Sequence, residues 1–230
     1  MRHTYSNTKT ANGRTTDLSG MLFDIKRFAI HDGPGIRSTA FFKGCPLSCS
    51  WCHNPESQSR EPELLVRTSR CTGCGRCVSV CPEKAVRMEG SLAIVDRERC
   101  SACGTCVPAC PDDARSIVGE PWTADALVNE LTKDVLFFDQ SGGGVTCSGG
   151  EPLLQPGFCA AILRLCRERG IHTAVDTCGH ADGAALRWVA EEASRRPQPR
   201  EQPQRWGLPS IHPCCDSTGS SRPRPGPPRR

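Results

Sequence analysis

Cys45, Cys49 and Cys52 stand in the run Gly44-Cys45-Pro46-Leu47-Ser48-Cys49-Ser50-Trp51-Cys52, spaced C-x3-C-x2-C directly after an apolar segment. Iron-sulfur clusters take one cysteine per iron, so three thiolates account for only three of the irons of a 4Fe-4S cluster. The remaining iron is open to a small molecule that binds there and receives an electron. That makes the trio a candidate catalytic cluster, which a four-cysteine electron carrier is not.

The surrounding residues narrow the chemistry. Asp32-Gly33-Pro34-Gly35-Ile36-Arg37, followed by Phe41-Phe42-Lys43-Gly44-Cys45, resembles the opening segment of the glycyl-radical-enzyme activating enzymes, a branch of the radical S-adenosylmethionine (SAM) enzymes. Ser141-Gly142-Gly143-Gly144-Val145-Thr146-Cys147-Ser148-Gly149-Gly150-Glu151-Pro152 and Gly170-Ile171-His172-Thr173-Ala174-Val175-Asp176-Thr177-Cys178-Gly179 are similar to two further motifs of that family, in the same order. The resemblance implies that Cys45, Cys49 and Cys52 hold the catalytic cluster and that its open iron takes the amino and carboxylate groups of SAM. It implies that the loop Gly149, Gly150 and Glu151 holds the methionine end through backbone groups, and that Trp51 and His53 lie against adenine. Asp176 matches a family position near the SAM carboxylate and a bound monovalent cation. Asp32 and Arg37 are candidates for active-site or partner-docking roles, the alternative being a structural turn with a solvated charge. The activity so implied is reductive cleavage of SAM to a 5'-deoxyadenosyl radical, which takes hydrogen from one glycine of a partner glycyl radical enzyme. A flavodoxin or ferredoxin-type protein would be the reductant, in an anaerobic setting.

Between these motifs lie two runs of one type. Cys71, Cys74, Cys77 and Cys81, followed by Pro82, repeat about 29 residues later as Cys100, Cys103, Cys106 and Cys110, followed by Pro111. The spacing C-x2-C-x2-C-x3-C-P is that of bacterial two-cluster ferredoxins, in which the fourth cysteine of each run ligates the other cluster. The likeness pairs Cys71, Cys74 and Cys77 with Cys110, and Cys100, Cys103 and Cys106 with Cys81. Zinc is the alternative, but zinc sites use two C-x2-C pairs per metal. With the first trio the expected total is three 4Fe-4S clusters. The insert would relay electrons or steady partner docking.

These residues need elements to carry them. Residues 21–44 read as a strand approach, a Gly-Pro-Gly turn and a strand Thr39 to Lys43 that delivers Cys45 into a loop. Thr123 is placed to cap a helix carrying Leu127, Val128 and Leu131, followed by Val135 to Phe138. A strand Val145 to Thr146, a helix from Gly157 to Arg169 stopped by Gly170, a strand Ile171 to Val175 and a helix Ala184 to Ala193 complete the pattern. Such repetition indicates an α/β chain of parallel units with chemistry in the loops after the strands. The resemblance makes it a partial radical SAM barrel, about three of six strands, with an inserted ferredoxin-like module. The expected organisation is an extension over 1–20, the partial barrel over 21–61 and 115–194, the insert over 62–114 and a tail over 195–230. The tail holds nine prolines and no apolar period, which suits a disordered segment and a truncation or frameshift near 190–195. Against the family, the fourth-strand Asp-x-Lys motif and a later SAM contact are missing.

Composition limits the partners. Seventeen cysteines without a secretory signal or an apolar span indicate metal ligation in a reducing cytoplasm, not disulfides or a membrane. Eleven fall into the three groups above, and Cys147, Cys159, Cys166, Cys178, Cys214 and Cys215 read as buried apolar or incidental thiols. The net charge of +4 comes from the tail, where eight arginines face Glu201 and Asp216, leaving about −2 on 1–194 and no case for nucleic acid. Two other readings stay open, an electron carrier using only the insert clusters and a radical SAM enzyme acting on a small molecule.

Overall fold

The computed structural model describes residues 18–194. The expected tail, Cys214, Cys215 and all but the last three residues of the expected extension lie outside them. The described chain runs through β1 (Ser19–Ala29) and β2 (Arg37–Phe42) into the cysteine loop. The insert follows, with β3 (Glu63–Val66), α1 (Arg76–Ser79), β4 (Val86–Glu89), β5 (Leu92–Val95) and β6 (Arg115–Val118). Then come β7 (Glu120–Thr123), α2 (Ala124–Leu131), α3 (Val135–Ser141), β8 (Gly144–Gly149), α4 (Pro156–Glu168), β9 (Thr173–Val175) and α5 (Gly183–Ser194). Among the described residues no helix is long and apolar enough to cross a membrane.

One five-stranded sheet, in the order β7-β1-β2-β8-β9, carries the α/β body. β2, β8 and β9 run parallel, and at the other side β1 pairs antiparallel with β2 and β7 antiparallel with β1. The parallel trio puts the C-terminal ends of its strands, and the loops that follow them, at one end of the sheet. β3 pairs with β6 as a stem, Glu63 opposite Val118 and Val66 opposite Arg115, so the stem includes residues on both sides of the expected boundary at 114.

β2 is buried along its whole length, although half of it is polar. Ala40 and Phe42 belong to the main core, where Phe42 meets Phe158 with ring centroids 5.6 Å apart. Arg37, Ser38 and Thr39 are satisfied internally. Arg37 donates to Thr146 Oγ1 (2.5 Å), Pro34 O (3.1 Å) and Val145 O (2.6 Å), and Thr39 Oγ1 donates to Asp32 Oδ2 at 2.7 Å. Buried polar groups persist only with such partners. Asp32 and Arg37 thus tie the Gly-Pro-Gly turn to β2 and β8.

The helices follow their apolar stripes. Thr123 Oγ1 accepts from Ala126 N–H at 3.3 Å, and the helix it caps buries Leu127, Val128 and Leu131 fully. Burying each such side chain is worth about 1.5–3 kcal/mol. α4 starts on Pro156, whose missing N–H costs nothing there, and buries Phe158, Cys159, Ile162, Leu163 and Cys166 on one side. Gly170, at φ +72°, ends it. The segment read as Val135 to Phe138 forms a separate helix, because a 3-10 turn at Thr132–Asp134 carries Asp134 inward.

Asp134 is 1% exposed and receives Arg27 through both carboxylate oxygens and Ser38 Oγ at 2.9 Å. The Arg27 hydrogen bond holds its carboxyl below the ordinary 3.8. A depressed carboxyl stabilises the fold above its unfolded value and loses that contribution as pH falls through the folded one. Asp134→Asn is therefore expected to cost about 1–3 kcal/mol at pH 7 and to flatten the acid limb of the stability curve below pH 4. Denaturant melts at pH 7 and pH 3 check both points.

Candidate functional site

The chain leaves β2 through Lys43 and Gly44, both buried, into a loop closed at its neck. Gly44 N–H donates to Ser57 O at 2.6 Å and Cys45 N–H to Gln58 O at 3.0 Å, so the intervening residues form a compact Ω-type loop. Cys45, Cys49 and Cys52 lie on it, all half-buried, with Cys52 N–H donating to Cys49 O at 3.1 Å. Partial burial, above all, pushes the Cys45 thiol up, and the nearby Glu151, Cys52 and Cys49 add to the rise. A metal binding here must displace protons, which makes its affinity pH-dependent. Trp51, 67% exposed, and His53 stand on the outer side of the loop.

Two side chains, Lys43 at the neck and Gln155 from beyond β8, fix it. Lys43 is fully buried, and its Nζ donates to Glu56 O and Glu63 Oε2, both at 2.8 Å. Gln155 accepts from Met21 N–H at 2.8 Å and donates to Met21 O and Lys43 O at 2.9 Å, linking β1 and the exit of β2 like a short strand. Neither role has a signal in the sequence: Lys43 reads as a strand end within a motif, and an amide bridging such distant residues leaves no local pattern.

The loop after β8 closes onto the cysteine loop. Gly150 N–H donates to Phe42 O and Glu151 N–H to Gly44 O, each at 2.8 Å. The approach leaves no room for side chains: a Cβ on Gly149, at φ +113°, would stand 2.4 Å from Phe42 N, and one on Gly150 would stand 2.3 Å from Gly44 O. Those two N–H groups are thus spent inside the protein.

The Glu151 carboxylate turns the other way, into the protein, where it is fully buried. It accepts from Leu153 N–H, Cys178 N–H and Cys178 Sγ, each at 2.8 Å, and Thr177 Oγ1 lies 2.8 Å from both of its oxygens. The Glu151 carboxylate is thus spent inside the protein, as are its N–H on Gly44 O and its carbonyl on Leu154 N–H. Cys178, read as an incidental thiol, is a donor in this knot; burial first, and the Glu151 bond second, push its thiol up to about 12. The strand end also places Asp176, whose Oδ2 accepts from Ser148 Oγ at 2.8 Å. The three strand ends thus bring together the cysteine loop, the Gly149–Glu151 loop and Asp176. Cys147, Cys159 and Cys166 lie in the apolar core.

The insert holds two cavities. One is lined by Cys81, Cys100, Cys103 and Cys106. The other is lined by Cys71, Cys74, Cys77 and Cys110. Each takes three cysteines from one run and the fourth from the other. The halves match in backbone too: Ala85 N–H donates to Cys81 Sγ and Ala114 N–H to Cys110 Sγ, both at 3.3 Å. Hydrogen bonds to sulfur are a recognised means of tuning iron-sulfur centres. Backbone N–H groups of Ala93 and Gly73 lower the Cys71 thiol, and Thr105 lowers Cys103, while burial raises Cys106. Among the described residues no three His, Cys, Asp or Glu side chains close in on one point as around a single ion. Each cavity is lined by four of the insert's eight cysteines.

Residues 31–183 match the family model described as a 4Fe-4S single cluster domain. The chain is 48% identical over 175 residues to the trans-4-hydroxy-L-proline dehydratase activating enzyme of Clostridioides difficile, covering 76% of this chain and 58% of that protein. It is 48% identical over 165 residues to the (2S)-3-sulfopropanediol sulfolyase activating enzyme of Bilophila wadsworthia, covering 70% and 55%. It is 47% identical over 162 residues to the benzylsuccinate synthase activating enzyme of Thauera aromatica, covering 68% and 49%. The chain spans about half the length of these curated relatives.

Proposed function

The chain belongs to the glycyl-radical-enzyme activating enzymes of the radical SAM superfamily, and from that membership we propose that its strand-end site cleaves SAM and activates a partner glycyl radical enzyme. The observation that carries the reading is the close apposition of the two loops, Glu151 N–H to Gly44 O at 2.8 Å, one residue before Cys45. It sets a three-thiol loop beside a side-chain-free wall.

Cys45, Cys49 and Cys52 would hold a 4Fe-4S cluster with one open iron. When bound, cluster and SAM together supply the chemistry, one electron into the sulfonium and a 5'-deoxyadenosyl radical that takes hydrogen from the partner's glycine. The chain's own residues position the reactants. The carbonyls around Gly149 and Gly150 suit the SAM ammonium, a pure donor. Asp176, bonded to Ser148 at the same strand end, would lie near a monovalent cation and the SAM carboxylate, and the exposed Trp51 and His53 would lie on adenine. The parallel β2-β8-β9 trio fits part of a radical SAM barrel. The crossed cysteine cavities of the insert fit two further 4Fe-4S clusters in a ferredoxin-like module, fed by a flavodoxin or ferredoxin-type reductant.

The test is anaerobic reconstitution, then turnover with dithionite and SAM, following 5'-deoxyadenosine by chromatography and the glycyl radical by electron paramagnetic resonance with a candidate partner. About twelve irons and 5'-deoxyadenosine are expected. About eight irons and no cleavage would favour a carrier using the insert alone.

Gly150→Ala probes the apposition. Its Cβ must displace Gly44 O, so bound iron is expected to fall by about four while the insert keeps about eight. Iron analysis checks this, and an unchanged count with intact SAM cleavage would show that the loops need no such contact.

A further inference from the structure

The stem that joins the insert to the body sets its two cavities in a series. Lys43, next to the cysteine loop, holds the stem at Glu63. The next residue on that strand, Leu64, lines the Cys81, Cys100, Cys103 and Cys106 cavity, and its partner Ile117 lies 3.4 Å from a Cβ built on Gly104 of the same cavity. Two residues further on, Val66 and its partner Arg115 line the Cys71, Cys74, Cys77 and Cys110 cavity. At about 3.3 Å per residue the second cavity begins roughly 7 Å farther from Lys43.

The outer cavity also carries the charge. Residues 67–80 contain Arg67, Arg70 and Arg76 and no Asp or Glu. All three arginines are exposed. None enters an ion pair among the described residues. Cys74, between Arg70 and Arg76, is exposed, as is Cys103 of the inner cavity, so the charge and not the exposure distinguishes the two ends. The acidic side chain lining this cavity, Asp112, is engaged by Thr72 Oγ1 at 2.7 Å, with Asp113 beside it. Around the inner cavity the signs balance: Glu83, Asp96 and Glu98 against Lys84, Arg97 and Arg99.

We propose that the Cys71–Cys110 end of the insert is where an acidic one-electron carrier protein docks, on Arg67, Arg70 and Arg76, and that its electron passes through this outer site, then the Cys81–Cys106 site, to the Cys45 loop. The inference rests on the three-cluster reading above. One electron leaves the reduced carrier, which is thereby oxidised, and the insert is reduced by one; no bond or proton changes hands. Complementary charge raises association rates by about 10 to 1,000-fold at low ionic strength and loses that gain in salt.

The test is the rate at which reduced flavodoxin, used as the acidic probe, is oxidised by the reconstituted protein, read by stopped-flow absorbance at low and high salt. Replacing the three residues together, Arg67→Glu with Arg70→Glu and Arg76→Glu, is expected to slow oxidation about tenfold or more at low salt. Iron content and reduction by dithionite should stay as they were. Lys84→Glu with Arg99→Glu, beside the inner cavity, is the matched control and should leave the rate within about twofold. An unchanged rate in the triple variant, or an equal loss in the control, overturns the proposal. Absence of SAM cleavage even with dithionite would instead count against the proposed function, because flavodoxin oxidation is read without product.

Discussion

Exchange of Cys45, Cys49 and Cys52 together for Ala is expected to lower bound iron from about twelve to about eight per chain and to abolish 5'-deoxyadenosine formation from SAM. The fold should survive. The loop is closed by backbone groups, Gly44 to Ser57 and Cys45 to Gln58, and by the Lys43 and Gln155 side chains, none of which involves a sulfur. All three cysteines are half-buried, so truncation opens no large core cavity. The insert keeps its own eight cysteines, its own small core of Leu64, Val86 and Ala93, and the stem that anchors it. The loss is thus confined to the strand-end site. Iron analysis, the visible spectrum after reduction and chromatography of the SAM reaction make the measurement. A wild-type count near eight, or a triple variant that still binds about twelve, would remove the cluster from this loop.

Why this much was readable from the chain, and no more, follows from the kind of constraint each feature obeys. Metal ligation fixes spacing along the chain, so Cys45, Cys49 and Cys52 and the two four-cysteine runs stand out without any structure. The α/β class and the family were legible for the same reason, because short motifs with Gly at close approaches, such as Gly149 and Gly150, tolerate few substitutes. Local capping was legible too, and Thr123 caps α2 through Ala126 N–H. Contacts between distant residues left no such trace. Gln155 joins Met21 and Lys43, and Asp134 turns inward to Arg27 and Ser38, splitting what reads as one helical stretch. The stem of β3 and β6 has only four residues a side, too short for an alternating pattern to distinguish it from loop. The direction of a side chain is equally hidden: Gly-Gly-Glu reads the same whether the carboxylate faces a ligand or the protein.

That last ambiguity gives the second large expected effect. Glu151→Ala removes the acceptor from Leu153 N–H, Thr177 Oγ1 and Cys178 N–H at a fully buried position. Each orphaned donor costs about 1–3 kcal/mol, so a loss of at least about 3 kcal/mol is expected, or roughly 6–12 °C in Tm for a chain of this size. Glu151→Gln keeps one carbonyl acceptor but turns an amide NH₂ toward donors, and should fall between the two. The knot joins the loop after β8 to the loop after β9, so its loosening should also separate the Gly149–Gly150 wall from Asp176. SAM binding, followed by the change it causes in the cluster's resonance spectrum, is therefore expected to weaken in step with the loss of stability, in the order wild type, Gln, Ala. A carboxylate that touched the ligand directly would behave otherwise, since the Ala variant would lose SAM binding with its melting temperature unchanged. That outcome would place Glu151 at the ligand and overturn the inward role assigned by its burial and its hydrogen bonds.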